Sequence, residues 1–235
     1  MRLRRRWLWV GIPAALLLAP AVGWAAYAAV TWHRFGRDQR SASTDPLMQR
    51  FMPRYHIAEV HRTDVAAPAA LTFAAALRMD LHHSAIIHAI FRSRELLLGA
   101  EGSERPATLA MLDELRSLGW GVLEEVPDRQ IVLGAVTRPW ESEVVFRALP
   151  AREFAAFDSA GYVKIVVTFA ADSLGPDAST FRTETRAVAT DAVSRWRFRR
   201  YWSIFSPGIL LIRSQALNLV RRGAEEQPQS DEPRA

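Results

Sequence analysis

The feature that most constrains this chain is an uncharged segment near its N-terminus. From Trp7 to Trp32 there are 26 consecutive residues without a charged side chain. A helix of that length rises about 39 Å, and the hydrocarbon core of a bilayer is about 30 Å thick. Trp7, Trp9 and Trp32 lie near the two ends, where indole rings favour the headgroup region. The pattern predicts one N-terminal transmembrane helix.

The charges that flank this segment predict its orientation. Four arginines stand directly before it, and basic residues follow it more sparsely: Arg2, Arg4, Arg5 and Arg6, then His33, Arg34, Arg37 and Arg40. Positive charge is densest before the span, which favours an N-terminus inside the cell. We therefore expect a single-pass membrane protein whose C-terminal domain is extracytoplasmic.

Two other interpretations of the segment remain open. A cleaved signal peptide would have the same basic start, and Ala26-Tyr27-Ala28 offers a small-residue cleavage site. A buried helix of a soluble protein is the other alternative. The apolar run is longer than a usual signal core and arginines follow it at once, so the uncleaved anchor is favoured.

Charge and composition exclude several function classes. Residues 1–40 carry a net charge of +6, and the rest of the chain carries a net charge of −1. A nearly neutral domain argues against nucleic-acid binding, which needs a sustained basic surface. Cysteine is absent, so disulfides, thiolate metal sites and cysteine nucleophiles are excluded.

The remainder divides into a tether, one domain and a tail. Residues 33–54 are polar and arginine-rich and are interpreted as a tether after the 1–32 anchor segment. Residues 223–235 are rich in Glu, Gln, Pro and Ser and predict a disordered tail. Between them, residues 55–222 form one candidate domain.

Within this domain the pattern indicates a strand, three helices, several strands and a last helix. The expected helices cover about 68–78, 84–97 and 106–118, and the expected strands cover 55–65, 120–126, 131–136, 140–148, 163–170 and 179–190. Asp191 caps the last helix. Consecutive antiparallel strands before a terminal helix predict an α+β architecture in which the sheet covers that helix.

The last helix carries one apolar stripe at steps of three or four residues. Its members are Phe198, Tyr201, Trp202, Phe205, Ile209, Ile212, Ala216 and Leu219. Pro207 removes a backbone hydrogen bond inside this stretch. Because the stripe keeps its phase across Pro207, the pattern predicts one bent helix.

Several motifs resemble those of a known superfamily. They are Val65-Ala66-Ala67-Pro68 at the helix entry, the stretch from Trp120-Gly121 to Pro139-Trp140, Gly161-Tyr162-Val163-Lys164, Phe181-Arg182-Thr183-Glu184-Thr185-Arg186 and Phe198-Arg199-Arg200-Tyr201-Trp202. In this order the chain resembles bacterial members of the START-like, helix-grip superfamily, also called SRPBCC or polyketide-cyclase-like. The resemblance covers about 55–222; the membrane anchor lies outside the superfamily pattern.

The resemblance implies a curved antiparallel sheet wrapped around the long C-terminal helix. It also implies a cavity between the two that receives an apolar ligand. It does not imply one chemistry, because related folds bind lipids, cyclise polyketides or only carry ligands.

The first strand offers polar candidates for such a cavity. Glu59 and His61 share parity with Val65, so an inward Val65 would place both in the cavity. There they could orient the polar end of a ligand or act as acid and base. The alternative has Ala58 and Val60 inward, with Glu59 and His61 in water.

Large aromatic side chains complete the candidate ligand-binding set. Beside Glu59 and His61 it contains Trp140, Phe146, Phe198, Trp202 and Phe205. Such a stripe can equally be ordinary core. No catalytic residue, metal ligand or cofactor is predicted, because His82, His83 and His88 lack a ligand spacing and no nucleotide or hydrolase motif occurs.

These observations favour a membrane-anchored START-like domain that binds or carries a hydrophobic, lipid- or polyketide-like ligand without catalysis of its own. The expected partners are the membrane and that ligand, and no nucleic acid. One alternative is a cyclase or aromatase that uses the polar cavity residues. The other is an interaction module whose interior its own side chains fill.

Overall fold

The computed structural model describes residues 21–36, 45–80 and 110–226. Within these ranges the chain forms a five-stranded sheet in the order β1-β5-β4-β3-β2, and all neighbouring strands are antiparallel. The strands are β1 (Ile57–Val65), β2 (Gly121–Val126), β3 (Gln130–Thr137), β4 (Val163–Gly175) and β5 (Ala178–Ala189).

Helices precede, interrupt and follow the sheet. The described part of α1 covers residues 21–34. The others are α2 (Pro46–Phe51), α3 (Ala69–Arg78), α4 (Met111–Ser117), α5 (Ala151–Ala156) and α6 (Ala192–Glu225). This mixed α+β arrangement, with a long C-terminal helix, is consistent with the expected helix-grip fold. The expected helix at 84–97, the first part of the anchor and most of the tail lie outside the described residues.

One face of the sheet, here called the helix face, packs against α3 and α6. Two apolar clusters form there, one at each end of α6. The α3 cluster contains Val65, Phe73, Phe181 and Val220. The Phe198 cluster contains Phe35, Ile57, Phe198 and Trp202. Odd-numbered residues of β1, β4 and β5 therefore point toward the helices.

The opposite face, here called the back face, is covered by α2 and α5. Its apolar cluster includes Met48, Phe51, Val132, Phe154 and Val166. Asp45 caps α2 by accepting from the N–H groups of Leu47 and Met48, and it also accepts from Gln130 Nε2 at 2.6 Å and Arg182 at 2.8 Å. Residues 45–52, assigned to the tether in the sequence, thus pack on the sheet.

The long terminal helix follows the sequence prediction. Asp191 accepts hydrogen bonds from the N–H groups of Val193, Ser194 and Gly161, so it both caps α6 and joins it to the start of β4. The helix then continues for 34 residues through Pro207. The prediction of one helix across Pro207 is confirmed.

The predicted strand at 140–148 is wrong. Only Arg147 pairs with the sheet, through two backbone hydrogen bonds with Val136. Strand β2 pairs with β3 only from Gln130 as far as Gly134, and of the remaining positions 135–137 of β3 only Val136 forms a bridge to this segment. Most of residues 140–148 are exposed or half-buried, so their alternation has no second strand to pair with.

The end of α1 is fixed to the domain. Arg199 donates to the carbonyl of Trp32 at 2.9 Å, and its guanidinium lies 4.2 Å from the centre of the Trp32 ring. Phe35 is buried in the Phe198 cluster, and Gly36 N–H donates to the carbonyl of His56. Helix α1 therefore ends against both α6 and β1.

A fully buried ion pair lies under the back-face cluster. Arg186 Nε donates to Glu184 Oε1 at 2.7 Å, and both side chains are completely buried. Arg186 also donates to the carbonyl of Met52 and lies over the Tyr55 ring. It thereby links β5 to the segment that follows α2.

We predict that Arg186→Met lowers the free energy of unfolding by about 3–5 kcal/mol, because it leaves a carboxylate buried without its cation. The double variant Glu184→Leu/Arg186→Met removes both charges and should recover most of that loss. Urea unfolding of the full chain in detergent, followed by tryptophan fluorescence, measures both. Equal destabilisation in the single and double variants would contradict the prediction.

Candidate functional site

Strand β1 and helix α6 bring three polar side chains together on the helix face. Glu59 and His61 lie opposite Thr185 and Thr183 of β5, and Arg213 of α6 lies close enough to interact with both. Of the two orientations left open for β1, the structure has the one in which Glu59 and His61 face the C-terminal helix. We call this set the Glu59–His61–Arg213 cluster.

The cluster is half-buried. His61 Nε2 is 3.9 Å from Glu59 Oε2, and the two side chains are 22% and 30% exposed. Among the described residues, His61 Nε2 has no hydrogen-bond partner. Buried polar atoms normally have one, so this nitrogen has unused capacity for a ligand.

Burial and mutual charge shift the pKa values in this cluster. Burial raises the pKa of Glu59, and the Arg213 charge opposes that rise. Burial lowers the pKa of His61, and the Arg213 charge lowers it further. Burial also lowers the pKa of Arg213 to about 10, against the opposing influence of Glu59. At neutral pH the imidazole is therefore neutral and Arg213 is charged.

The cluster lies between the two apolar clusters of the helix face. Along β1, Ile57 precedes Glu59 by two residues and Val65 follows His61 by four. Ile57 belongs to the Phe198 cluster and Val65 to the α3 cluster. A guanidinium and a neutral imidazole, which can both donate and accept, are thus flanked by apolar surface. This chemistry suits a molecule with an apolar body and one polar end.

Phe198 and Trp202 lie in the packed core. They are 2% and 8% exposed, and their ring centres are 6.1 Å apart. The Phe35 ring meets Phe198 edge-on at 5.7 Å. The interior at this end of α6 is therefore filled by the protein's own side chains.

Trp140 and Phe205 line a groove along one flank of α6, next to the Phe198 cluster. The groove has a volume of about 430 Å³, and its lining is Trp140, Trp196, Arg197, Arg200, Tyr201, Ile204 and Phe205. All but Trp140 come from α6, and no sheet residue contributes. We call it the Trp140 groove.

Phe146 is separated from the other candidates. Its ring packs against Trp120 at 5.3 Å, and its carbonyl lies so close to Gly119 that a Cβ at that position would not fit. Gly119 has a positive φ of 99°, which glycine adopts without strain. The seven candidate residues thus occupy four different surroundings, and their contact with a ligand remains a prediction.

Arg213 is not among the candidate residues predicted from the sequence. Arg213 follows Ile209 by four residues and precedes Val220 by seven, so it shares the helix-facing side of α6. That spacing indicates the helix-facing side of α6, but a stripe defined by apolar residues alone does not include an arginine. Arg197 and Arg200 were missed because nothing in the sequence indicates a groove beside them.

Two observations bear on metals and membranes. Among the described residues, no group of three or more His, Cys, Asp or Glu side chains is arranged to hold a metal ion. Within the same residues, α6 is long and apolar enough to cross a membrane. Because α6 also packs on α3 and the sheet, its length and composition are only weak evidence for a span.

Comparison with known proteins identifies distant structures only. No protein-family profile and no curated protein matches the chain. A hypothetical protein from Helicobacter pylori aligns with a TM-score of 0.35 and 10% identity over 80% of this chain and 98% of its own. An aromatase/cyclase from Streptomyces aligns with a TM-score of 0.27 and 13% identity, over 74% and 96%.

A third structure is norcoclaurine synthase from Thalictrum flavum, solved with dopamine and hydroxybenzaldehyde. It aligns with a TM-score of 0.30 and 12% identity over 82% of this chain and all of its own. None of these likenesses is close enough to carry an argument about ligand or activity. The candidate function therefore depends on the site geometry.

We predict that Arg213→Met raises the pKa of both His61 and Glu59, because the Arg213 charge lowers both. In the parent chain the lowered His61 pKa means that the unfolded state takes up a proton at a higher pH than the folded state, so stability falls as the pH falls below about 6.5. The variant should show a smaller fall. Histidine NMR titration of the full chain in micelles measures the shift.

The exposed Arg221→Met serves as the matched control and should leave both pKa values unchanged. An unchanged His61 titration in Arg213→Met would show that the cluster does not exist as described.

Proposed function

We propose that this chain is a membrane-anchored domain that binds or carries a hydrophobic ligand with one polar end, held between the sheet and α6, without catalysis of its own. The observation that carries the proposal is the Glu59–His61–Arg213 cluster, half-buried between two apolar clusters. Its partners are the membrane and the ligand.

The cluster contains a buried nitrogen, His61 Nε2, that has no hydrogen-bond partner among the described residues. Removing a charged or polar group from water costs free energy unless a partner replaces the lost hydrogen bonds. A carboxylate or phosphate end of a ligand would satisfy Arg213, which binds such groups in a fork geometry. His61 Nε2 would gain a partner from the same end, while the ligand's apolar body contacts the flanking clusters.

The exposed side of α1 supports the anchoring part of the proposal. Val22, Trp24 and Val30 are 65%, 43% and 49% exposed. A helix that presents large apolar side chains in this way is stable in lipid and costly in water. Together with the 26 uncharged residues, this favours a membrane span, and the four arginines before the span favour a domain outside the cytoplasm.

A second candidate function is an enzyme of cyclase or aromatase type. Glu59 with a raised pKa, 3.9 Å from a neutral His61, is an arrangement that general acid–base chemistry uses. Phe198 and Trp202 are packed in the core, which favours the remaining alternative, an interaction module with a filled interior. That observation applies only to their end of α6.

We predict that the full chain, purified in uncharged detergent, takes up a fluorescent sixteen-carbon fatty acid. Arg213→Met/His61→Gln removes both groups that bind the carboxylate and should weaken uptake about tenfold, which corresponds to about 1.4 kcal/mol. The control Arg221→Met removes an exposed charge from the far end of α6 and should bind like the parent. Uptake unaffected by the cluster variant would rule out the proposed site.

Native mass spectrometry of the same preparation separates a carrier from an enzyme. For a carrier, a co-purified ligand keeps its mass after incubation. A mass change that the parent produces and Glu59→Gln/His61→Gln does not would establish the enzyme instead.

We also predict that the full chain stays in the membrane pellet after alkaline extraction and that protease added outside spheroplasts digests its domain. An uncleaved span explains both results. A mature N-terminus directly after Ala28, with the domain released to the supernatant, would establish the signal-peptide interpretation instead.

A further inference from the structure

The Trp140 groove has two rows of side chains with different chemistry. Residues 196, 200 and 204 form one row along α6, and residues 197, 201 and 205 form the next, because positions four apart lie on the same side of a helix. At about 430 Å³ the groove lies within the range of small-molecule sites. It is separate from the Glu59–His61–Arg213 cluster, since no residue of that cluster lines it.

The charged side chains of the groove are all cationic. Arg197 and Arg200 line it, and no acidic side chain does. Among the described residues, neither arginine forms an ion pair with a carboxylate. The Arg197 guanidinium lies 5.9 Å from the centre of the Trp140 ring, within cation–π distance. Positions three apart on a helix are neighbours, so the two arginines can share one anion, and a phosphate accepts paired N–H donors.

The rest of the groove is apolar and open. The Tyr201 and Phe205 rings pack with their centres 4.8 Å apart and their planes inclined by 35°. Trp196 and Ile204 at its rim are 56% and 40% exposed. A hydrophilic anion such as a free sugar phosphate would leave these apolar side chains in water, whereas an amphiphile would cover them.

The position of the groove relative to α1 points to the source of that amphiphile. Arg199, in the same turn of α6 as Arg200, contacts Trp32 at the end of the predicted span. The groove is therefore about one helix diameter, roughly 10 Å, from the end of α1. Tryptophan and arginine side chains at this level are typical of the headgroup region.

We propose that the Trp140 groove is a second lipid site, which holds the phosphate of an anionic phospholipid from the membrane in which the chain is anchored. Arg197 and Arg200 bind the phosphate, and Tyr201, Ile204 and Phe205 contact the first carbons of the acyl chains. This inference rests on the anchoring part of the proposed function. It would hold the α6 side of the domain against the bilayer surface.

The test uses the full chain in uncharged detergent with equal amounts of phosphatidylglycerol and phosphatidylcholine of matched acyl chains. Native mass spectrometry should show retention of phosphatidylglycerol over phosphatidylcholine by about tenfold. Arg197→Gln/Arg200→Gln should remove this preference. Both arginines are exposed, so the variant should keep the melting temperature of the parent.

The control Arg221→Gln/Arg222→Gln removes two exposed charges from the far end of α6 and should keep the preference. The proposal is overturned if the parent retains both lipids equally or if Arg197→Gln/Arg200→Gln keeps the preference. Competition by glycerol 3-phosphate as effective as that of phosphatidylglycerol would assign the site to a free phosphate and overturn it as well.

Failure of this inference is distinguishable from failure of the proposed function. Loss of the lipid preference with the chain still in the membrane pellet removes only the Trp140 groove as a lipid site. Release of the chain from the pellet on alkaline extraction removes the anchoring on which the inference rests.

Discussion

The packing of α6 across the helix face of the sheet determines where every candidate functional residue lies. Phe198 and Trp202 fix the helix at one end, and Val220 fixes it at the other. Successive residues turn by about 100° around a helix, so a shift of one position would move Arg213 away from Glu59. Apolar packing at the two ends thus creates the polar cluster in the middle.

The segment before β1 adds a second constraint, because it is fixed to the domain on both sides of residues 37–44. Trp32 contacts α6, and Asp45 contacts Arg182 on the back face. Burial by itself raises the pKa of Asp45, but the Arg182 and Gln130 interactions outweigh it and lower that pKa overall. The carboxylate therefore stays charged and holds α2 on the sheet, which ties the predicted anchor to the domain at a fixed place.

The sequence predicts the regular elements well where local chemistry decides them. The Asp191 cap, the helix through Pro207 and the β2–β3 hairpin follow from turn residues and periodicity. The orientation of β1 does not follow from them, because either orientation of the strand places apolar residues inward: Ile57 and Val65, or Ala58 and Val60. Only the contact with α6 decides it. Helix α2 was missed because six residues are too short to show a period.

The most direct test of the account is photocrosslinking of the full chain in micelles with a diazirine-bearing fatty acid, followed by peptide mapping. A ligand held at the Glu59–His61–Arg213 cluster predicts crosslinks in the β1 peptide and in the part of α6 around Arg213, reduced by excess unlabelled fatty acid. Crosslinks confined to α1 and the exposed rim of α6 would contradict it, because the probe would then report only detergent-facing surface.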